Sequence, residues 1–230
     1  MRNAGAERTI AGMAMKVILT GATGLVGEGV LLECLDNPLV ERVLSVSRRT
    51  CGRSHPKLSE CLVPDFRDLA EVEATLTGYD ACFYCAGISS VGLSEAQYTI
   101  ITYDTPLRFA ETLLRCNPGM VFAHVSGAHT DGSEQGKAMW ARVKGKAENA
   151  LMRLPFKAVY NFRPGLMKPT AGQQRVSGVF KLVGALYPLL GLLSPGLTMS
   201  EVGRAMINSV RFGAASNVLE AKEMKLLAAR

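Results

Sequence analysis

The stretch Thr20-Gly21-Ala22-Thr23-Gly24-Leu25-Val26-Gly27 constrains this chain more than any other. The apolar run Val17-Ile18-Leu19 precedes it and Gly29-Val30-Leu31-Leu32-Glu33-Cys34-Leu35 follows it, so the local order reads strand, glycine turn, helix. In that setting each glycine has its own reason. Gly21 permits the sharp turn out of the strand, Gly24 leaves room for a pyrophosphate beside backbone N–H groups, and Gly27 lets the helix pack closely on the sheet. The helix N-terminus then faces the anion, with Thr23, Leu25 and Val26 as further candidate contacts. An ordinary glycine-rich turn needs neither flanking element, so dinucleotide binding is the expectation.

The rest of the chain repeats the alternation. Strands are predicted at 42–47, 61–63, 81–85, 120–126 and 157–162, with a last one at 217–221 before a tail over 222–230. Helices are predicted at 69–76, after 94–103 from Thr105-Pro106 to Cys116, at 134–152 and at 200–212, where Thr105 suits a cap and Pro106 the first turn. Strands that read as continuous apolar runs between helices imply a parallel sheet covered on both faces, a doubly wound α/β fold. Ligands in such sheets sit beyond the carboxyl ends of the strands, where Gly21, Ser47, Asp65, Cys85, Ser126 and Pro164 fall. Residues 1–14 read as a loose extension and 15–230 as the nucleotide-binding domain. Within it, 166–197 breaks the rhythm and reads as a helical segment over the substrate cleft. Its apolar centre, 179–193, is interrupted by Lys181 and Pro188 and is too short for a comfortable membrane span; membrane-surface contact or self-association stays open there.

At 230 residues one substantial core is affordable, and the formal charge of +6 is scattered rather than gathered with aromatics. That excludes a nucleic-acid surface and suits an anionic cofactor. Six cysteines without metal-ligand spacing favour reduced thiols in a cytoplasmic protein, and no metal site is expected. Cys82 and Cys85 have the redox spacing but lie in a predicted strand, where positions three apart point to opposite faces.

At the end of the second strand stand Ser47-Arg48-Arg49. A carboxylate there would serve ribose hydroxyls, whereas arginine pairs with a 2′-phosphate, so NADP(H) is preferred over NAD(H). Asp65 and Phe66, after the third strand, are placed to line the adenine; a turn former after Pro64 is the plainer alternative for Asp65. Cys85, Ala86 and Gly87 end the fourth strand beside the first, where small residues let a cofactor lie against backbone. His124, in an apolar strand, reads as a core histidine rather than a base.

Several of these motifs, in this order, resemble an atypical short-chain dehydrogenase/reductase, a Rossmann-type NAD(P)-binding protein of the epimerase-like kind, close to the Tat-interacting oxidoreductase family. The resemblance covers roughly residues 15 to 212. It is carried by the glycine signature at 20–27, Tyr84-Cys85-Ala86-Gly87, Val125-Ser126-Gly127 and Arg163-Pro164-Gly165. It implies that Ser126 polarises a substrate carbonyl and that Lys144 binds the nicotinamide ribose. The tyrosine that delivers the proton in that superfamily stands four residues before the lysine, and here that position is Trp140. An indole N–H can donate a hydrogen bond but cannot cycle a proton near neutral pH.

Two readings follow. One is an NADP(H)-dependent oxidoreductase or epimerase for a carbonyl or sugar-like small molecule, with another acid in place of the tyrosine. The other is a catalytically degenerate module that senses NADPH and signals to a protein partner.

Overall fold

In the computed structural model, which describes residues 14–174 and 196–230, strands and helices alternate from Met15 onward. The first half comprises β1 (Met15–Thr20), α1 (Leu25–Asp36), β2 (Val40–Ser47), β3 (Leu58–Leu62) and β4 (Ala81–Tyr84). Then come α2 (Glu95–Thr99), a π-helical turn (Ile100–Asp104), α3 (Thr105–Cys116), β5 (Val121–Val125), α4 (Met139–Met152) and β6 (Ala158–Arg163). The chain closes with β7 (Met167–Lys168), β8 (Leu197–Thr198), α5 (Met199–Phe212), β9 (Val218–Glu220) and α6 (Ala221–Ala228).

Among the described residues, seven strands form one sheet in the order β3-β2-β1-β4-β5-β6-β9, every neighbouring pair parallel. Strand order reverses between β1 and β4, so the crevice at their carboxyl ends is the topological switch point where ligands bind in such sheets. Side-chain alternation divides the core in two. Val17, Leu19, Val43, Phe83 and Phe162 pack on α1, α5 and α6. On the opposite face Ile18, Leu44, Tyr84, Phe122 and Val159 meet Phe109 and Leu113 of α3 and Leu151 of α4. This is the doubly wound architecture the pattern implies. Cys82 and Cys85 fall on opposite sides, and neither they nor Cys34, Cys51, Cys61 or Cys116 form a disulfide among the described residues.

Four expectations are corrected. Residues 69–76 give only a 3₁₀ turn, Ala70–Val72, because Leu76 N–H closes on Val72 and Glu73 carbonyls and Gly78, at φ 88°, ends the segment. The helix expected from 134 begins at Met139. The Asp131 carboxylate accepts hydrogen bonds from Ser133 N–H, Ser133 Oγ and Gly136 N–H, while Glu134 takes φ 63°, so 131–136 is a side-chain-organised loop. Thr105 does not cap a new helix: α2, the π turn and α3 are continuous, and the Thr105 hydroxyl donates to Ile100 O at 2.7 Å. Finally, the tail after β9 is α6, whose Met224, Leu227 and Ala228 are buried and whose Leu227 carbonyl accepts from Asn208 at 2.9 Å.

The segment 166–197 begins with β7, which pairs with β8, and its apolar centre at 179–193 lies outside the described residues. Residues 170–173 dock on the cofactor-side helix: Gln173 Nε2 donates to Leu25 O at 2.7 Å. No described helix is long and apolar enough to cross a membrane.

Helices α1 and α5 approach through glycines. A Cβ at Gly203 would sit 2.6 Å from Glu33 Cβ and 3.5 Å from the Val30 Cα, whereas one at Gly119 would meet nothing within 4 Å. Gly203→Ala is therefore expected to lower the urea-unfolding free energy by about 1–3 kcal/mol, and Gly119→Ala to change it by less than about 0.5 kcal/mol. Equal effects would show that the helix pair relaxes freely.

Candidate functional site

The glycine turn is built on backbone contact. Gly21 has φ 73°, and a Cβ there would lie 2.6 Å from the Cys85 carbonyl oxygen at the end of β4. A Cβ on Gly27 would fall 2.1 Å from Gly21 O, so what this residue packs against is the turn itself, not the sheet that sequence reasoning named. Gly24 is the N-cap of α1 and brings no capping side chain. The first intrahelical bond is Glu28 N–H to Gly24 O at 2.9 Å, which leaves the N–H groups of Leu25, Val26 and Gly27 at the helix mouth for an anion. Glu28, an acid in this first turn, is buried and neutralised by Arg53 at 2.5 Å. The cradle thus fits a pyrophosphate sterically and electrostatically.

Thr20 was not singled out from sequence. Its fully buried Oγ1 accepts from Cys85 N–H at 3.1 Å and Ala86 N–H at 3.2 Å, tying the end of β1 to the end of β4 across the switch point. The signal available was a hydroxyl at the last strand position before the glycine turn.

A cleft of ≈ 430 Å³ runs from this turn along the sheet edge. It gathers Gly21, Thr23, Gly24, Arg48, Arg49, Asp65, Phe66, Cys85, Ala86 and Gly87 of the sequence-derived candidates. At one end Arg48 and Arg49 are exposed, and Ser47 Oγ donates to Arg49 O at 2.6 Å, which holds the loop. Neither guanidinium makes an ion pair with a described residue, so both face the cleft mouth with their charge unspent. Asp65 is engaged by Arg67, a cleft residue that sequence reasoning missed, at 2.7 Å from Nη2 and 3.1 Å from Nε. That guanidinium holds the Asp65 carboxyl below its ordinary range. Phe66 is anchored by Phe109 and Tyr84, with ring centroids 5.4 and 6.5 Å away. Ile88, Ile100 and Ile101, all solvent-exposed, form an apolar wall, the last two presented by the π turn.

Lys144 lines a second, small cavity that shares Tyr84, Ala86, Gly87, Ile88 and Ile101 with the cleft, and Ser126 lies just after β5. Lys144 Cδ and Cε lie 3.7 Å from where a Gly127 Cβ would be, so the lysine stem runs in van der Waals contact along this turn. Lys144 is half-buried, and burial pulls its ammonium below the usual lysine range while Glu148, one turn on, partly offsets this. It forms no hydrogen bond or ion pair with a described residue. Its helix neighbours are committed elsewhere: Arg142 to Glu95 at 2.8 Å, Lys146 to the Tyr103 ring at 4.5 Å and Glu148 to Arg163 at 2.5 Å.

Ser126 Oγ is 3.1 Å from Thr130 Oγ1, which donates to Gly127 O at 2.7 Å. Because Thr130 has one hydroxyl hydrogen, that geometry makes Ser126 the donor to Thr130. Turning the Thr130 hydroxyl toward Ser126 frees the serine O–H for an incoming oxygen. Trp140 is half-buried in the first turn of α4 and lines neither the cleft nor the small cavity beside Lys144. Lys144 lines the small cavity, and its side chain passes beside Gly127, the residue after Ser126; neither Ser126 nor Trp140 lines either cavity. Among the described residues no cluster of His, Cys, Asp or Glu could hold a metal ion.

Known proteins resemble this chain in sequence and in fold. The model of the NAD dependent epimerase/dehydratase family matches residues 17–144. Protein fmp52, mitochondrial, of Emericella nidulans is 29% identical over 207 residues, spanning 84% of this chain and 86% of its own. Protein HTATIP2 of Rattus norvegicus is 27% identical over 154 residues, 66% of this chain and 62% of its own. In fold, the chain resembles the Bordetella bronchiseptica enzyme WbmG in complex with NAD and UDP, with TM-score 0.67, 15% identity, and coverage of 91% of this chain and 73% of that one. The cytoplasmic expectation is overturned by the fungal relatives, whose names place them in mitochondria. Its physical basis was weak in one respect: reduced thiols mark a reducing environment, which more than one compartment supplies.

Thr20→Val keeps the shape and removes the acceptor of two backbone N–H groups. It is expected to cost about 1–3 kcal/mol in urea unfolding, with Thr20→Ser recovering most of the loss. A neutral Thr20→Val would mean that water replaces the hydroxyl and that β1 and β4 are held by the ladder alone.

Proposed function

This chain belongs to the NAD dependent epimerase/dehydratase family, and on that premise we propose that it binds NADPH in preference to NADH and acts as an oxidoreductase or epimerase on a carbonyl or sugar-like small molecule. The observation that carries the reading is the uncapped start of α1 over the Gly21–Gly24–Gly27 turn, which opens into a cleft ending at Arg48 and Arg49. The first-turn N–H groups hold the pyrophosphate, and the two arginines pair with the 2′-phosphate. Phe66 and Asp65 border the adenine, while Cys85, Ala86 and Gly87 let the cofactor lie against β4. Lys144 donates to the nicotinamide ribose, and Ser126, once released by Thr130, donates to the substrate oxygen. When bound, the nicotinamide supplies the hydride. A structural relative solved with NAD and UDP supports a small-molecule substrate of the nucleotide-sugar or related carbonyl class.

Trp140 favours a second reading, a binding module that senses NADPH without turning over and signals to a protein partner. An indole cannot deliver the proton that a reduced carbonyl needs. Under the enzyme reading another acid supplies it.

Arg48→Asp is expected to weaken NADPH binding about tenfold or more while changing NADH binding little, as read from the quenching of protein fluorescence. Equal losses for both nucleotides would refute the 2′-phosphate assignment. Trp140→Tyr should raise carbonyl reduction by about tenfold or more if only the acid is missing. No turnover by either form on a broad carbonyl panel, with NADPH bound tightly by both, would sink the enzyme reading in favour of the sensor.

A further inference from the structure

His124 reads from sequence as a satisfied core histidine, and the structure satisfies it on one side only. Its partner across the β5–β6 ladder is Asn161, and Nδ1 lies 3.0 Å from Asn161 Oδ1. Since Oδ1 only accepts, the bond requires the ring hydrogen on Nδ1 and leaves Nε2 as a lone-pair acceptor. Reversing the amide would move the ring hydrogen to Nε2, on the side of the Lys144 charge, which electrostatics disfavours. The arrangement has a cost, because Asn161 Nδ2 is buried without a hydrogen-bond partner.

His124 and Lys144 both line a second cavity, of ≈ 20 Å³, with Tyr84 and Thr102 among its other walls. That volume accepts a single water, which needs about 10–15 Å³. Neither the imidazole Nε2 nor the Lys144 ammonium has a hydrogen-bond partner among the described residues. A half-buried donor with three hydrogens and a neutral acceptor on a buried histidine thus line one water-sized space.

We propose that His124 is the positioning residue for Lys144: its Nε2 lone pair, bridged by one water in the shared cavity, keeps the ammonium charged and aimed at the cofactor cleft. The charged groups around the cavity are engaged elsewhere, and the remaining hydroxyls are neutral. Glu148 favours the charge from one turn along α4, but its oxygens accept from Arg163 at 2.9 and 2.5 Å. Tyr84, facing from β4, is kept neutral by burial, and Thr102 of the π turn and Ser126 after β5 are uncharged. From β6, Arg163 is held by Glu148 and Glu220, and Lys146 points to Tyr103. Burial, with the Lys144 charge beside it, pushes the His124 imidazole down to about 4, so it is a neutral acceptor throughout the physiological range.

The sign follows. An acceptor stabilises the ammonium and raises the Lys144 midpoint; removing it lets burial lower that midpoint further. The test is a ¹³Cε titration of Lys144 in the full-length protein without nucleotide. His124→Phe should lower the midpoint by about one pH unit, and His124→Gln, which offers an amide oxygen to the same space, should restore most of it. No shift in the phenylalanine variant, or equal shifts in both, would overturn the proposal. Should the variants fail to fold, ¹⁵N spectra of the wild-type imidazole decide: protonated Nδ1 with unprotonated Nε2 is expected at neutral pH, and the reverse tautomer overturns it. The functional consequence rests on the proposed role of Lys144 toward the cofactor. NADPH binding by the wild type tests that role separately, so a protein that shows the titration and binds no nucleotide would lose the proposed function and keep the His124–Lys144 coupling.

Discussion

The site depends on a backbone-to-backbone contact at the point where the strand order reverses. The turn after β1 lies so close to the end of β4 that only glycine fits at position 21, and the start of α1 lies so close to that turn that only glycine fits at position 27. Thr20 stitches the same junction from beneath by accepting two β4-end N–H groups. Three chain segments therefore share one fixed position, and the cleft inherits it. The helix mouth, the floor at Ala86 and Gly87, and the arginine loop after β2 keep their spacing because each is joined to this junction by a strand or a turn.

Charge is distributed around the cleft by a consistent rule. Acids that would oppose an anion are already engaged: Glu28 by Arg53, Asp65 by Arg67, Glu148 by Arg163. Cations that could meet one, Arg48 and Arg49 at the cleft and Lys144 in the small cavity adjoining it, are without ion pairs among the described residues. Burying Glu28 and Glu148 costs desolvation, and the bidentate or short arginine contacts offset it. The net result is a cleft whose acids are neutralised and whose arginines at the end of β2 are not.

The parallel sheet, its two cores and the glycine junction were legible because they rest on short-range patterns: apolar runs, alternation and glycine spacing. The helices misread at 69–76 and 134–138 fail for one reason. In each, hydrogen bonds from side chains or tight turns override weak helical propensity, and the Asp131 carboxylate that organises the second has no signature beyond a nearby serine and glycine. Arg67 and Thr20 were missed because their roles need a partner far along the chain or across the fold. His124 is the core histidine the apolar strand implies, but its pairing with Asn161 and its place beside Lys144 on a small cavity depend on residues far along the chain.

The π turn at Ile100–Asp104 extends this point. Such a turn holds one residue more than the α turn it replaces, and the hydroxyl of Thr105 closes it by reaching back five residues. The extra residue swings the helix face between α2 and α3, and Ile100 and Ile101 emerge over the cleft instead of packing around the helix. The direction of this wall is therefore set by the register of the helix, and its chemistry by the residues that register exposes.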